Sequence, residues 1–252
     1  MKILIGCEFS GIVREAFRRR GHDAWSCDLL PAEDHSPHHI QGDVLTVLEQ
    51  GWDLAVFHPP CTYLAVSGMH WTTRGLRDPK LTEDALEFVR RLLATPIPKI
   101  ALENPISVIS SRIRKPDQII QPWWFGDDAS KKTCLWLKNL PLLSPTKPHP
   151  PQGWKLVKFG ADLLDEDGNE LDCPDCCVPF AECDCIGPTQ DGIEYVTIDG
   201  FLFGRPEGGT GKPRWGNQTP SGQNKLGPSD DRWKERSRTY AGIASAMAEQ
   251  WG

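Results

Sequence analysis

Cys61 and Glu103 stand 42 positions apart, each near the close of a short apolar run. Leu54-Ala55-Val56-Phe57 leads into His58-Pro59-Pro60-Cys61, and Lys99-Ile100-Ala101 leads into Leu102-Glu103-Asn104-Pro105. Runs of this length read as buried strands, so a thiol and a carboxyl are presented at two strand ends. Such a pair can attack an electron-poor ring and protonate it. Pro59-Pro60 stiffen the loop and remove two backbone donors, which suits a positioned nucleophile. The plainer alternatives are a buried thiol at Cys61 and a salt-bridged carboxylate at Glu103. His58 and His70 lie near Cys61, but nothing in the sequence ties either to the base that a thiol protease would need.

The elements that must hold these groups alternate between strand and helix. Lys2 to Ile5 reads as a strand. Gly11 to Arg20 reads as a helix, with Ile12, Ala16 and Phe17 on one face, stopped by Gly21. A second strand covers Asp23 to Cys27 and ends at Asp28. Val44 to Gln50 reads as a short helix and Asp53 to Phe57 as a strand. Leu81 to Ala94 is an amphipathic helix with Leu86, Val89, Leu92 and Leu93 at helical spacing. Strands follow at Ile100 to Leu102 and Cys134 to Leu137, and Ser237 to Trp251 reads as a closing helix. The order predicts an α/β fold, with a parallel sheet covered by helices on both faces.

Ligands of such sheets lie outside the carboxyl ends of the strands. The loop Gly6-Cys7-Glu8-Phe9-Ser10-Gly11 joins the first strand to its helix, with glycines that permit close backbone approach. Asp28 ends the second strand, where a ribose hydroxyl is commonly held. Asp43 stands where a third strand would end, and a carboxylate there can accept from an adenine amino group. Each aspartate can equally well be a helix cap; their order behind a glycine loop is the stronger signal.

At 252 residues and 39% hydrophobic content, the chain can build one sizeable domain and a small appendage. No apolar run is long enough for a transmembrane helix. The opening MKILIGCEFSG reads as a strand rather than a signal peptide. Nine cysteines without a secretory signal fit a reducing cytosol. The net charge of −6 is unevenly spread. Residues 1–150 carry 18 basic and 17 acidic side chains, residues 151–204 carry 2 and 12, and residues 205–252 carry 8 and 5. The basic strip from Arg205 to Arg238, which includes Arg214 and Arg236, suits phosphate contact, although a solvated charged face has the same composition.

The two words around Cys61 and Glu103 resemble, in order and spacing, the catalytic motifs of the DNA cytosine-5 methyltransferases. Phe9-Ser10-Gly11, Asp28 and Asp43 are similar to that family's S-adenosylmethionine positions. The segment Phe125 to Thr133 differs. Where the family carries a Gln-x-Arg-x-Arg cluster, this chain has Lys131-Lys132, which keep the charge but not the planar guanidinium fork. Arg238 to Ala244 is similar in place to the family's last motif, without its Gly-Asn start. The resemblance covers about 1–140 and 235–252. It implies a Rossmann-like S-adenosylmethionine-dependent methyltransferase sheet, with a target-recognition region over 141–234. Methyl transfer to C5 of cytosine in double-stranded DNA would proceed through base flipping and a covalent bond from Cys61 to C6. Glu103 would hold and protonate N3. Glu8, Phe9, Ser10, Gly11, Asp28, Asp43 and Pro60 would bind the cofactor, and Asn104, Lys131, Lys132, Arg214 and Arg236 would meet the DNA. Such an enzyme belongs in the cytoplasm of a bacterial or phage-infected cell, within restriction-modification or a mobile element. Two other readings stay open: the same fold acting on RNA, on a nucleotide or with a modified methyl group, or a catalytically silent DNA-binding protein.

Prolines at 141, 145, 148, 150 and 151 mark a linker into the recognition region. Cys173-Pro174-Asp175-Cys176-Cys177 and Cys183-Asp184-Cys185 then place five thiols in 13 residues. Cys173, Cys176, Cys183 and Cys185 form a candidate structural zinc site in an insert at about 170–188, with Cys177 spare. A redox site is the alternative. Arg214, Asn217, Gln218, Gln223, Asn224 and Lys225 offer groups that can read base edges, unless this stretch is a plain loop. Trp215 and Trp123-Trp124 can stack on bases, with burial the expected state of the pair.

Overall fold

The structure is a computed structural model that describes residues 1–159, 186–187, 193–206, 208–221, 224–227, 229 and 231–252. The chain divides into two compact units. The first comprises Met1–Phe125, Lys131–Thr146 and Gly227–Gly252, and the second Gly126–Ser130 and Lys147–Leu226.

Seven strands build the first unit: β1 (Lys2–Gly6), β2 (Asp23–Asp28), β3 (His39–Gln41), β4 (Leu54–Phe57), β5 (Lys99–Pro105), β6 (Gln118–Ile120) and β7 (Thr133–Lys138). Their order in the sheet is β3-β2-β1-β4-β5-β7-β6. The pairs β1/β2, β1/β4, β2/β3 and β4/β5 are parallel, and β7 runs antiparallel to both β5 and β6. The helices are α1 (Ile12–Arg19), α2 (Met69–Thr73), α3 (Lys80–Leu93), α4 (Ile109–Arg112), α5 (Arg232–Ser237) and α6 (Ala241–Trp251).

Alternation along the strands divides the core. Ile3, Ile5, Leu54, Val56, Ala101 and Leu135 pack with Val13 and Phe17 of α1 and with Ile243, Met247 and Trp251 of α6. Leu4, Ala55, Phe57, Ile100, Leu102 and Trp136 face the other way, onto Leu86, Val89 and Leu92 of α3. All four residues of β4 are buried because both sheet faces are covered. Each large side chain so buried contributes about 1.5–3 kcal/mol. This is the expected Rossmann-like α/β sheet with helices on both faces.

Three local expectations are corrected. Val44 to Gln50 forms only a 3-10 turn over Val44–Thr46. Gln50 N still reaches the Val47 carbonyl at 3.3 Å, which also accepts from the Trp52 indole at 2.7 Å, and Gly51 at φ 73° then turns the chain out of helical geometry. The closing helix is two helices, α5 and α6. Between them Arg238 is extended, and its guanidinium donates to both oxygens of Glu33 at 2.8 and 3.0 Å. Finally, β5 is longer than Ile100 to Leu102. Its parallel neighbour β4 pairs only with Lys99 to Leu102, but β7 pairs onward through Glu103, Asn104 and Pro105. Glu103 therefore lies within a strand that outruns β4, supported on one side by backbone hydrogen bonds.

The second unit holds an antiparallel sheet of order β8-β11-β10-β9, made of β8 (Lys155–Phe159), β9 (Ile186–Gly187), β10 (Ile193–Ile198) and β11 (Phe201–Pro206). The β10–β11 hairpin turns on Asp199-Gly200, with φ of 50° and 77°. Positive φ at both central residues matches the twist of the flanking strands. Trp215 is buried here, and its indole donates to the His149 carbonyl at 3.0 Å, so it packs rather than stands ready to stack. The expected zinc insert, with Cys173, Cys176, Cys183 and Cys185, lies outside the described residues, as does Gln223. Among the described residues no helix is long and apolar enough to cross a membrane.

Candidate active site

Strand order reverses between β1 and β4, and a crevice opens where their carboxyl ends part. The chain leaves β1 through Gly6, where a Cβ would sit 2.6 Å from Phe57 Cδ1 and 2.8 Å from Val44 Cγ2. Only glycine allows the strand tip to lie this low. Cys7 then adopts φ 61°, which turns its N–H toward the Cys27 carbonyl at 2.7 Å. Glu8 points inward and is 5% exposed. Its carboxylate accepts from Val13 N at 2.7 Å and Arg14 N at 3.2 Å, and from Ser10 Oγ at 3.3 Å. Glu8 thus satisfies the open amides at the start of α1, as a capping residue does. Burial raises its pKa, while the His58 charge and these amides pull the other way. Gly11 closes the loop with φ 74°.

Two adjoining cavities occupy the crevice. One, of about 280 Å³, is lined by Asp28, Asp43, Val44, Leu45 and Phe88 among others. Asp28 Oδ1 accepts from Leu30 N at 2.9 Å, and burial raises the Asp28 pKa. Asp43 Oδ1 accepts from Leu45 N at 2.9 Å. Both aspartates therefore order the turn that follows them, and both line the cavity. Apolar walls with two carboxylates suit a flat heterocycle carrying hydroxyl and amino donors.

The second cavity, of about 480 Å³, shares Cys7, Asp28 and Pro60 with the first and continues past Phe9, His58 and Cys61 to Trp71, Trp233 and Arg236. The Phe9 and Trp233 rings stand 6.0 Å apart. Asn104, 1% exposed, donates from Nδ2 to the Pro59 carbonyl at 2.9 Å and so ties the Glu103 strand to the Cys61 loop. Asn104, expected to meet the DNA, here engages its amide nitrogen in this internal bond.

Among the described cysteines, Cys61 is the exposed one. Burial pushes the Cys27 and Cys134 thiols up to about 11, and pushes Cys7 higher still. These three are neutral thiols. The Cys61 pKa is also raised, first by desolvation against the cavity walls and then by the Glu103 charge, with Lys131 and Arg236 acting against both. Glu103 is affected in the opposite sense. Burial pushes its carboxyl up, but the His58 hydrogen bond, the Lys131 charge and the His58 charge together hold it below its ordinary value. His58 Nδ1 lies 3.1 Å from Glu103 Oε2, with the two side chains 7% and 13% exposed. Lys131 is fixed by its own N–H to Gln121 Oε1 at 2.9 Å and by Nζ to the Arg236 carbonyl at 3.2 Å.

Cys61, Glu103, Lys131 and Arg236 thus influence one another electrostatically, and Phe9, Asp28, Asp43 and Pro60 line the same crevice. Ser10 and Gly11 shape the loop above it. Lys132 is exposed. Arg214 belongs to the second unit, where its carbonyl accepts from Gln152 N at 2.8 Å. Sequence reasoning missed His58, Trp71 and Trp233. The position of His58 directly before Pro59-Pro60-Cys61 was the one signal for it.

No protein-family model matches the chain, and no curated protein matches it. One similar solved structure is the crystal structure of a candidate DNA modification methyltransferase encoded within a prophage of E. coli. The two align over 78% of this chain with 14% identity and a TM-score of 0.41, and the chain spans 60% of that protein's length.

Proposed function

We propose that this protein is an S-adenosylmethionine-dependent methyltransferase acting on C5 of cytosine in double-stranded DNA. The observation that carries the reading is the crevice itself. The exposed Cys61 thiol, His58 and Arg236 line one cavity, which adjoins a second cavity edged by Asp28 and Asp43; the buried Glu103 carboxylate is held by His58, and both it and Lys131 act electrostatically on Cys61. Volumes of about 480 and 280 Å³ suit a base and a nucleoside-sized cofactor.

A stacked cytosine hides C6 from a nucleophile, so the base must leave the duplex. The Cys61 thiolate adds to C6, and the C5–C6 π pair moves into the ring toward N3. Glu103 gives a proton to N3 and offsets the developing charge. Phe9, Asp28, Asp43 and Pro60, beneath the Ser10-Gly11 turn, would hold S-adenosylmethionine, which would supply the methyl group for C5 and leave as S-adenosylhomocysteine. Loss of the C5 proton re-forms the double bond and expels Cys61. Glu8 supports this site from below by ordering the loop and the start of α1. Lys131 and Arg236 favour the Cys61 thiolate and supply positive charge for the DNA backbone, with Lys132 and Arg214 as further phosphate contacts. A structural zinc on Cys173, Cys176, Cys183 and Cys185 would replace the core that an acidic, apolar-poor segment lacks.

The test is covalent capture. Duplex DNA carrying 5-fluorocytosine cannot lose its C5 substituent as a proton, so the Cys61–C6 bond persists. With S-adenosylmethionine present we expect an adduct that Cys61→Ser abolishes. No adduct across a broad pool of sequences overturns the proposal.

A further inference from the structure

His58 has no part in the chemistry above, yet it is the residue that touches Glu103. Its backbone N–H donates to the Gly6 carbonyl at 2.9 Å, which fixes the residue at the end of β4. From there the imidazole Nδ1 reaches Glu103 Oε2 at 3.1 Å. Its other nitrogen, Nε2, is shut off from solvent and has no hydrogen-bond partner among the described residues. A buried imidazole with one nitrogen unsatisfied is costly to keep for packing alone. Its surroundings carry charge on every side. Glu103 faces it from β5, and Glu8 from the β1–α1 loop feels its charge. Lys131, ahead of β7, acts on both Glu103 and Cys61, and Arg236 on α5 acts on Cys61.

We propose that His58 is the positioning residue for Glu103, with its Nδ1–H holding Oε2 so that the other carboxylate oxygen addresses ring N3. The inference rests on the methyltransferase reading above. A lone carboxylate on a strand that outruns its neighbour can rotate about its terminal torsion, and a donor on one oxygen removes that freedom. The step starts from protonated Glu103, with its proton on the oxygen that faces N3 and the separate Nδ1–H of His58 on Oε2. As Cys61 bonds to C6, the O–H bond at Glu103 breaks and the N3–H bond forms. The carboxylate charge that results is met by the Nδ1–H. On release of Cys61, N3 returns its proton to Glu103.

Two variants separate this role from packing. His58→Asn keeps a donor where Nδ1 stood, and His58→Leu keeps volume without a donor. At saturating 5-fluorocytosine DNA, we expect adduct formation in the Leu variant to be about tenfold or more slower than in the Asn variant. Carboxyl NMR on ¹³C-glutamate protein reads the second consequence. The Glu103 carboxyl should titrate at higher pH in both variants, and further up in Leu than in Asn. Equal adduct rates in the two variants, or an unmoved Glu103 titration, overturn the proposal. If the Leu variant does not fold, the Asn titration decides alone. A wild type that forms no adduct sinks the methyltransferase reading, while the titration still reports on the His58–Glu103 pair.

Discussion

Cys61 and Glu103 hinder one another at rest. The carboxylate charge opposes the thiolate, and Lys131 favours ionisation of both. A proton on Glu103 removes its repulsion of Cys61, so under the proposed reaction arming the acid would also arm the nucleophile. The signs of two substitutions follow. Glu103→Gln removes a negative neighbour and should lower the Cys61 pKa. Lys131→Met removes a positive one and should raise it. The rate of Cys61 alkylation against pH, followed by peptide mass spectrometry, should move to lower pH in the first variant and to higher pH in the second. Shifts in the same direction would show that the coupling is wrong. The charge at 131 was legible in the sequence because Lys131-Lys132 stand where the resembled family carries its arginine cluster. The His58 contact was not legible, since it depends on β4 and β5 lying side by side.

At the scale of elements, the loop between β1 and α1 determines the crevice. Gly6 lies against Phe57 and Val44 too closely for any side chain, at 2.6 and 2.8 Å from a built Cβ. Gly6→Ala should destabilise the first unit by about 1–3 kcal/mol through overpacking, read as a lower urea midpoint with an unchanged slope. A midpoint equal to wild type would mean that the neighbours yield freely. Periodicity made α1, α3, β1 and β4 legible, because their apolar residues recur at the spacing of the faces they bury. It failed where a partner determines the element. The extension of β5 through Glu103 exists because β7 pairs with it. The β10–β11 hairpin was announced by Asp199-Gly200 between apolar residues, a turn signal that the Gly- and Pro-rich texture around it concealed.

For the whole molecule, charge is divided along the chain. Residues 1–150 are nearly balanced at 18 basic to 17 acidic, while residues 151–204 carry 12 acidic side chains against two basic. The described part of that stretch still buries Trp154, Val196, Phe201, Leu202 and Phe203, and the five thiols at 173–185 offer ligands for a metal. Purified protein should hold one zinc per chain by elemental analysis, and Cys176→Ala should lose it. An unchanged zinc content in that variant would refute the ligand set. The sheet order brings Phe9, Asp28, Asp43, Pro60 and Cys61 to one crevice of the first unit, and the alternation of strands and helices made that sheet readable.

The bond from Asn104 Nδ2 to the Pro59 carbonyl, at 2.9 Å, has a consequence for tolerance. Cys61 and Glu103 come from segments more than forty residues apart, and two such tips would ordinarily drift independently with temperature. Bolted together, they wander as one piece, like two teeth cut on a single key. Their spacing inherits the stiffness of one short internal bond, whatever the rest of the lock does.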